Sequence, residues 1–222
     1  MEQRSVLPAG KLGSHPLSAE ELAARLAAAP PPGLRRSQDA RPRGDHDLNP
    51  DMYPTAPLVS AAVLVPIIAR REGLTALFTL RTAHLSAHAG QISFPGGRVE
   101  PADADETATA LREVEEEIGL PREKVRLIGR LDTYVTRTGF RIHPLVGLIS
   151  APLALRPDPR EVAEVFEVPL DFLTDPANCR RHSRIYQGQE RFFWAIPFGQ
   201  RYIWGATAGI VVNLSELLRP TA

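Results

Sequence analysis

Between Asp105 and Gly119 the chain sets three glutamates, Glu113, Glu116 and Glu117, at the helical spacing i, i+3, i+4. At about 100° per residue, Leu111, Val114 and Ile118 share one helix face, and the three glutamates share the opposite one. Carboxylates stacked this closely repel one another, and Arg112 is the only adjacent cation on the helix. A solvated acidic face is the ordinary reading of a glutamate-rich helix. The alternative is an oxygen-donor cluster for a hard divalent cation. The neighbourhood favours the cation. Phe94-Pro95-Gly96-Gly97 reads as a tight glycine turn whose backbone can approach a ligand closely and can offer amides to phosphate oxygens and a carbonyl to a metal.

The rest of the chain supplies the frame. Residues 1–57 read as an N-terminal extension: a short helix capped by Ser18 with Glu21 as capping-box partner, then proline-punctuated chain. With few large apolar residues, it reads as a segment that wraps or leads into a domain at 58–222. Its first 50 or so residues are expected to be dispensable for chemistry, because the acidic helix and its turn lie downstream. Val59 to Ile68 is almost continuously apolar and β-branched, as a strand buried on both faces would be, and Leu74 to Leu80 completes a hairpin. A helix is predicted from about Asp105 to Ile118, closed by Gly119. Strands are predicted over Val125 to Thr136, Arg141 to Ile149 and Val162 to Val168, and a hairpin around Gly188. A last helix is predicted over about Thr207 to Leu218. The sum is an α+β domain with a mixed sheet and few helices.

Composition narrows the function classes. Of 222 residues, Lys+Arg number 26 and Asp+Glu 26, so the formal net charge is zero, and a general binder of nucleic acid or anionic membrane is not expected. The single cysteine, Cys179, forms neither an internal disulfide nor a zinc cage. Met1 to Gly13 lacks a continuous apolar run, and no stretch approaches the ~18 apolar residues of a membrane helix. The expectation is a soluble cytoplasmic protein, with no membrane and no nucleic-acid partner.

Arg112-Glu113-Val114-Glu115-Glu116-Glu117-Ile118-Gly119-Leu120 resembles the second half of the box of the Nudix hydrolases at every specified position. In the first half, the sixth position after Gly97 is Asp103 where the family has glutamate, and the gap to Arg112 is one residue longer. Asp103, Asp105 and Glu106 are the candidates for that acidic position. Leu77 to Thr82, Gly90 to Gly97 and Ile203 to Ala208 resemble the coenzyme A pyrophosphatase branch, which usually has Ser or Ala at Thr82 and often Arg at Ser86. The resemblance spans roughly Leu58 to Leu218.

The resemblance implies an α/β/α sandwich and metal-dependent hydrolysis, with Mg²⁺ or Mn²⁺, of the phosphoanhydride in coenzyme A or its thioesters. The products would be 4′-phosphopantetheine, or its acyl form, and adenosine 3′,5′-bisphosphate. It implies Glu113, Glu116, Glu117 and the Gly96 carbonyl as metal ligands. Glu113, Glu116 and Arg112 would be the catalytic group, with Arg112 either orienting carboxylates or touching phosphate. Glu161 and Glu164 are candidates for a later acid. Arg81, His84, His88 and Gly97 are the candidate substrate contacts, Arg81 foremost, for the 3′-phosphate. The expected partner is a small nucleotide, and the expected state a monomer or homodimer. Two other readings stand beside this one. The first is a Nudix hydrolase for ADP-ribose, a dinucleotide or a damaged nucleoside triphosphate. The second is a non-catalytic Nudix ligand sensor, which would be expected to have lost the ligand glutamates that this chain retains.

Overall fold

In the computed structural model, residues 17–35, 41–84 and 88–219 are described. Strand β2 (Val59–Arg70) is the axis of the fold, and its alternation shows why. Ala62, Leu64 and Ile68 enter one apolar cluster, Val65 and Ile67 another on the opposite face. On the first face lies α2 (Glu106–Ile118), contributing Ala110, Val114 and Ile118. On the second lie α1 (Ala19–Ala28), α3 (Leu170–Thr174) and α4 (Ala206–Leu218). The result is an α/β/α sandwich.

The sheet is mixed, which needs a crossover as well as hairpins. β2 pairs antiparallel with β3 (Gly73–Arg81) and parallel with β8 (Phe140–Ser150), the latter from Val59 opposite Phe140 to Ala69 opposite Ser150. The strand order is β1 (Arg43–Gly44), β7 (Tyr134–Val135), β8, β2, β3, β4 (Ile92–Ser93). Beside that path β5 (Gly96–Arg98) pairs with β2, β6 (Val125–Arg130) with β8, and β9 (Val162–Pro169) with β3. A separate three-stranded antiparallel sheet follows: β10 (Arg180–Tyr186), β11 (Gln189–Phe198) and β12 (Arg201–Trp204). Its first turn, Gln187-Gly188, has both residues at positive φ, the geometry of a tight hairpin.

Two expectations are corrected. The strand read from Val125 to Thr136 is two strands, because the partner β8 carries Pro144. Proline donates no hydrogen bond, so the ladder lapses there, with only the Leu131 amide donating to the Pro144 carbonyl at 2.9 Å. The turn read at Pro95-Gly96-Gly97 is in fact the start of β5. A Cβ on Gly96 would lie 2.3 Å from the Ala62 carbonyl oxygen, so glycine serves close strand approach, not chain reversal.

The N-terminal segment is built into the same body. Ser18 and Glu21 form the capping box, and Leu22 and Leu26 are buried in the core beneath α4 and β6. Arg43 bridges buried Asp132 at 3.0 Å, and Asp132 in turn accepts from Asn213 of α4. Dispensability of this segment therefore does not follow from its place in the sequence. Among the described residues no helix is long and apolar enough to cross a membrane.

Candidate active site

α2 is held at both ends. The Asp105 side chain accepts from the Ala108 amide at 2.8 Å, and Gly119 closes the helix in the left-handed region. Beyond it, the amides of Arg156 and Asp158 donate to the carbonyls of Ile118 and Glu117, which ties the helix end to the loop leading to Glu161. On the other side the β3–β9 ladder slips between Leu80 and Arg81, a bulge that re-aims Arg81, and the Thr82 amide donates to the Glu161 carbonyl at 2.9 Å. Phe94 stacks on Phe78 at 4.7 Å and so fixes the run into Gly96. These ties bring Arg81, Gly96, Gly97, Glu113, Glu117 and Glu161 to one cleft of about 610 Å³.

Glu113, Glu116 and Glu117 do not share one environment. Glu116 is 59% exposed and off the cleft wall, whereas Glu117 is 3% exposed and on it. Burial, reinforced by the negative charges of Glu113 and Glu161, pushes the Glu117 carboxyl up to about 8 against the pull of Arg81 and the Gly96 backbone. Arg81 Nη1 lies 3.5 Å from Glu117 Oε1, while Oε2 is buried with no hydrogen-bond partner. Glu113 is also raised, by burial first, with Arg112 opposing. It packs directly over Gly97, where a Cβ would stand 2.2 Å from Glu113 Oε1.

Arg112 faces away from the cleft and organises the acids. It donates to Glu113 and Glu116 at 2.9 Å each and to the Arg98 carbonyl at 3.2 Å. It also grips both oxygens of Asp103, at 3.0 and 3.1 Å. Asp103 further accepts from the Glu100 amide and the Thr109 hydroxyl, and the Arg112 bonds hold its carboxyl well below the usual range. Of the three acids proposed for the first half of the box, Asp103 is therefore the one that engages Arg112. Asp105 is spent as the cap, and Glu106 faces Arg130 at 3.5 Å.

Of the other predicted residues, His88 lines the cleft and bonds Gln91 at 2.9 Å. His84 is off the cleft, 3.5 Å from the Thr82 hydroxyl. Residues 85–87 between them, Ser86 included, lie outside the described residues. Glu164 pairs with Arg201, away from the cleft that Glu161 enters. Cys179 is buried, which pushes its thiol up to about 12 and leaves it an inert core residue.

A second part of the cleft escaped the sequence. Asp45, Asn49 and Met52 of the N-terminal segment form one wall, and Arg184, Phe193 and Trp204 another. Asp45 accepts from the Tyr134 hydroxyl and the Arg137 amide, and the Asn49 side chain pairs with the Phe192 backbone at 2.8 and 2.9 Å. No local pattern marks Asp45 or Asn49. Trp204 lay in a recognised run, Ile203 to Ala208, and its ring meets Phe193 edge-on at 5.5 Å.

The donor set fits a divalent cation: oxygen ligands only, one buried carboxylate oxygen without a partner, and mutual repulsion that a cation would relieve. Among the described residues no three His, Cys, Asp or Glu side chains already form a closed cage.

Residues 59–188 match the model of the NUDIX domain. A protein named an uncharacterized Nudix hydrolase, NudL, of Photorhabdus laumondii is 41% identical over 159 residues, 70% of this chain and 83% of the relative. One of the same name in Yersinia pestis is 36% identical over 183 residues, 82% and 92% of the two chains. Among solved structures, a Caenorhabditis elegans Ap4A hydrolase binary complex is 20% identical with TM-score 0.44, covering 50% of this chain and 80% of that one. The chain belongs to the Nudix hydrolase family. It is a pyrophosphohydrolase, an enzyme acting on acid anhydrides.

Proposed function

We propose that the cleft hydrolyses the phosphoanhydride of coenzyme A or its thioesters, releasing 4′-phosphopantetheine or its acyl form and adenosine 3′,5′-bisphosphate. The observation that carries the hydrolytic part is the buried, unpartnered Glu117 oxygen beside Glu113 and Glu161 in an open cleft. The choice of coenzyme A is supported by Leu77 to Thr82 and Gly90 to Gly97, whose members Arg81, Gly96 and Gly97 line that cleft.

In this reading Glu113 and Glu117, with the Gly96 carbonyl, would hold Mg²⁺ or Mn²⁺, which when bound would supply neutralisation of phosphate charge and a water of lowered pKa. Arg112 is a positioning residue: anchored on Asp103, it sets the Glu113 carboxylate over Gly97 and holds Glu116 to the outside. Glu161 enters from another element and is the group we assign to accept the water's proton. Arg81 keeps the Glu117 carboxylate oriented.

The test is a Mg²⁺-dependent hydrolysis panel of coenzyme A, dephospho-coenzyme A, ADP-ribose and dGTP, with products identified by mass. Coenzyme A cleaved to the two named products, ahead of the others, is the expected result. Faster turnover of ADP-ribose or dGTP overturns the substrate assignment.

A further inference from the structure

The arginines around the cleft are of two sorts. Arg81 faces Glu117, and Arg191 pairs with Asp51 at 2.7 Å. Arg98, Arg137 and Arg184 also line the cleft, and none of their guanidinium groups pairs with a carboxylate among the described residues, although the Arg137 backbone amide donates to Asp45 at 2.8 Å; Arg98 stands apart over Phe140, at 5.3 Å, and the other two converge. Each guanidinium rests on aromatic faces. Arg137 Cζ lies 4.3 Å from the Tyr186 ring centroid. Arg184 Cζ lies 5.9 Å from that same centroid and 5.0 Å from the Trp204 ring. Stacking occupies the flat face of a guanidinium and leaves its N–H edge free. It also fixes the side chain before any ligand arrives, which reduces the ordering cost of binding. Two cations gathered at one ring repel each other, and an anion at their edges relieves that repulsion.

We propose that Arg137 and Arg184 form a second anion subsite, which takes a phosphate monoester carried by the substrate outside the diphosphate that is cleaved. A doubly charged phosphate matches two donor forks better than a carboxylate does. The proposal rests on the reading that a diphosphate is cleaved at the Glu113–Glu117 end. In coenzyme A the second anion is the ribose 3′-phosphate. That role moves away from Arg81, whose guanidinium faces Glu117 and whose Nε is buried without a partner.

The test compares wild type with the Arg137→Gln/Arg184→Gln double variant, both positions being exposed, so that the fold tolerates the change. Two matched pairs are assayed with Mg²⁺: coenzyme A against dephospho-coenzyme A, and NADPH against NADH. The wild type is expected to prefer the phosphorylated member of a pair by roughly ten- to a hundred-fold in kcat/KM, mostly through KM. The double variant should bring that ratio close to one. A preference confined to NADPH sinks the coenzyme A reading and leaves the subsite standing. Equal losses on both members, or a wild type that distinguishes neither pair, overturn the subsite. Should neither pair be cleaved, calorimetry without turnover decides. Adenosine 3′,5′-bisphosphate must bind more tightly than AMP to the wild type and equally to the variant; equal binding to the wild type overturns the proposal.

Discussion

At one end of the cleft, Glu113 and Glu117 come from one turn of one helix and meet Gly96 and Gly97 from the strand just upstream. At the other end, Asp45 and Asn49 of the N-terminal segment meet Arg184, Phe193 and Trp204 of the three-stranded sheet. The acidic end is local in sequence and lies wholly inside the stretch that matches the family model. Much of the other end, including Asn49, Phe193 and Trp204, lies outside residues 59–188. The contrast separates two jobs. Hydrolysis of an anhydride needs a few carboxylates at fixed helical spacing, which a short motif encodes. Under the proposed function, choice of what hangs from the anhydride falls to the distant segments that line the other end of the cleft.

The sharpest way to break this division is at Glu117. Glu117→Gln removes the buried charge while preserving volume, and should reduce turnover in Mg²⁺ by at least ~10³-fold with the fold intact by circular dichroism. Glu116→Gln, on an exposed side chain turned toward Arg112, should lose less than about ten-fold, since an exposed pair contributes little. Comparable losses in the two variants would return Glu116 to the ligand set and dissolve the distinction between buried and exposed acids.

A smaller effect is expected at Asp103. Asp103→Ala leaves Arg112 without its two-pronged anchor, so Glu113 is less well held. The loss of these charge-assisted bonds is expected to weaken the site roughly ten- to a hundred-fold, read as a higher Mg²⁺ concentration for half-maximal rate. An unchanged Mg²⁺ dependence would mean that Asp103 braces the loop from Glu100 and nothing more.

These residues also show what the sequence could and could not disclose. The mixed sheet, the hairpins and α2 were legible because apolar periodicity and capping residues act over a few neighbours, whereas the sandwich came with the family resemblance. The set Glu113, Glu116, Glu117 was legible too, but not its division. Helical geometry put all three on one face, while Arg81 and Glu161, the charged groups that face Glu117 and not Glu116, are distant in sequence. Pro144 broke a predicted strand through its partner strand, which no reading of residues 125–136 alone reveals. Asp45 and Asn49 sat in polar, proline-rich chain, where a side chain aimed at a backbone far downstream leaves no trace.

At the other end of the cleft the expected effect is smaller again. Asn49→Ala removes the two bonds that pin Phe192 to the N-terminal segment, a net cost of about 1–3 kcal/mol for a partly buried polar pair. If this wall chooses the substrate and does no chemistry, KM should rise several-fold to roughly ten-fold with kcat nearly unchanged. A fall in kcat at constant KM would join the N-terminal wall to the acidic end and erase the contrast.

The smallest effect is thermodynamic and belongs to the metal-free protein. Glu117 titrates near 8 when folded, against an ordinary value of 4.5. Below 4.5 the carboxyl is protonated in both states and pH changes nothing. Between 4.5 and 8 the folded state keeps a proton that the unfolded state has released, so stability falls as pH rises, by no more than about 1.4 kcal/mol per unit from this group. Glu113, raised in the same sense by burial, adds to the fall. Above about 8 the contribution of Glu117 levels off. Thermal melts of wild type and Glu117→Gln in chelator, from pH 5 to 9, should therefore show the wild type losing Tm relative to the variant as pH increases. Mg²⁺ should flatten the wild-type curve, because a cation that takes the place of the proton restores what ionisation costs. The acidic end would then be a part of the molecule whose stability a divalent cation and a proton compete to supply. A wild-type Tm that rises with pH relative to Glu117→Gln would mean that Arg81 already compensates the charge, and that the buried carboxylate needs no further cation.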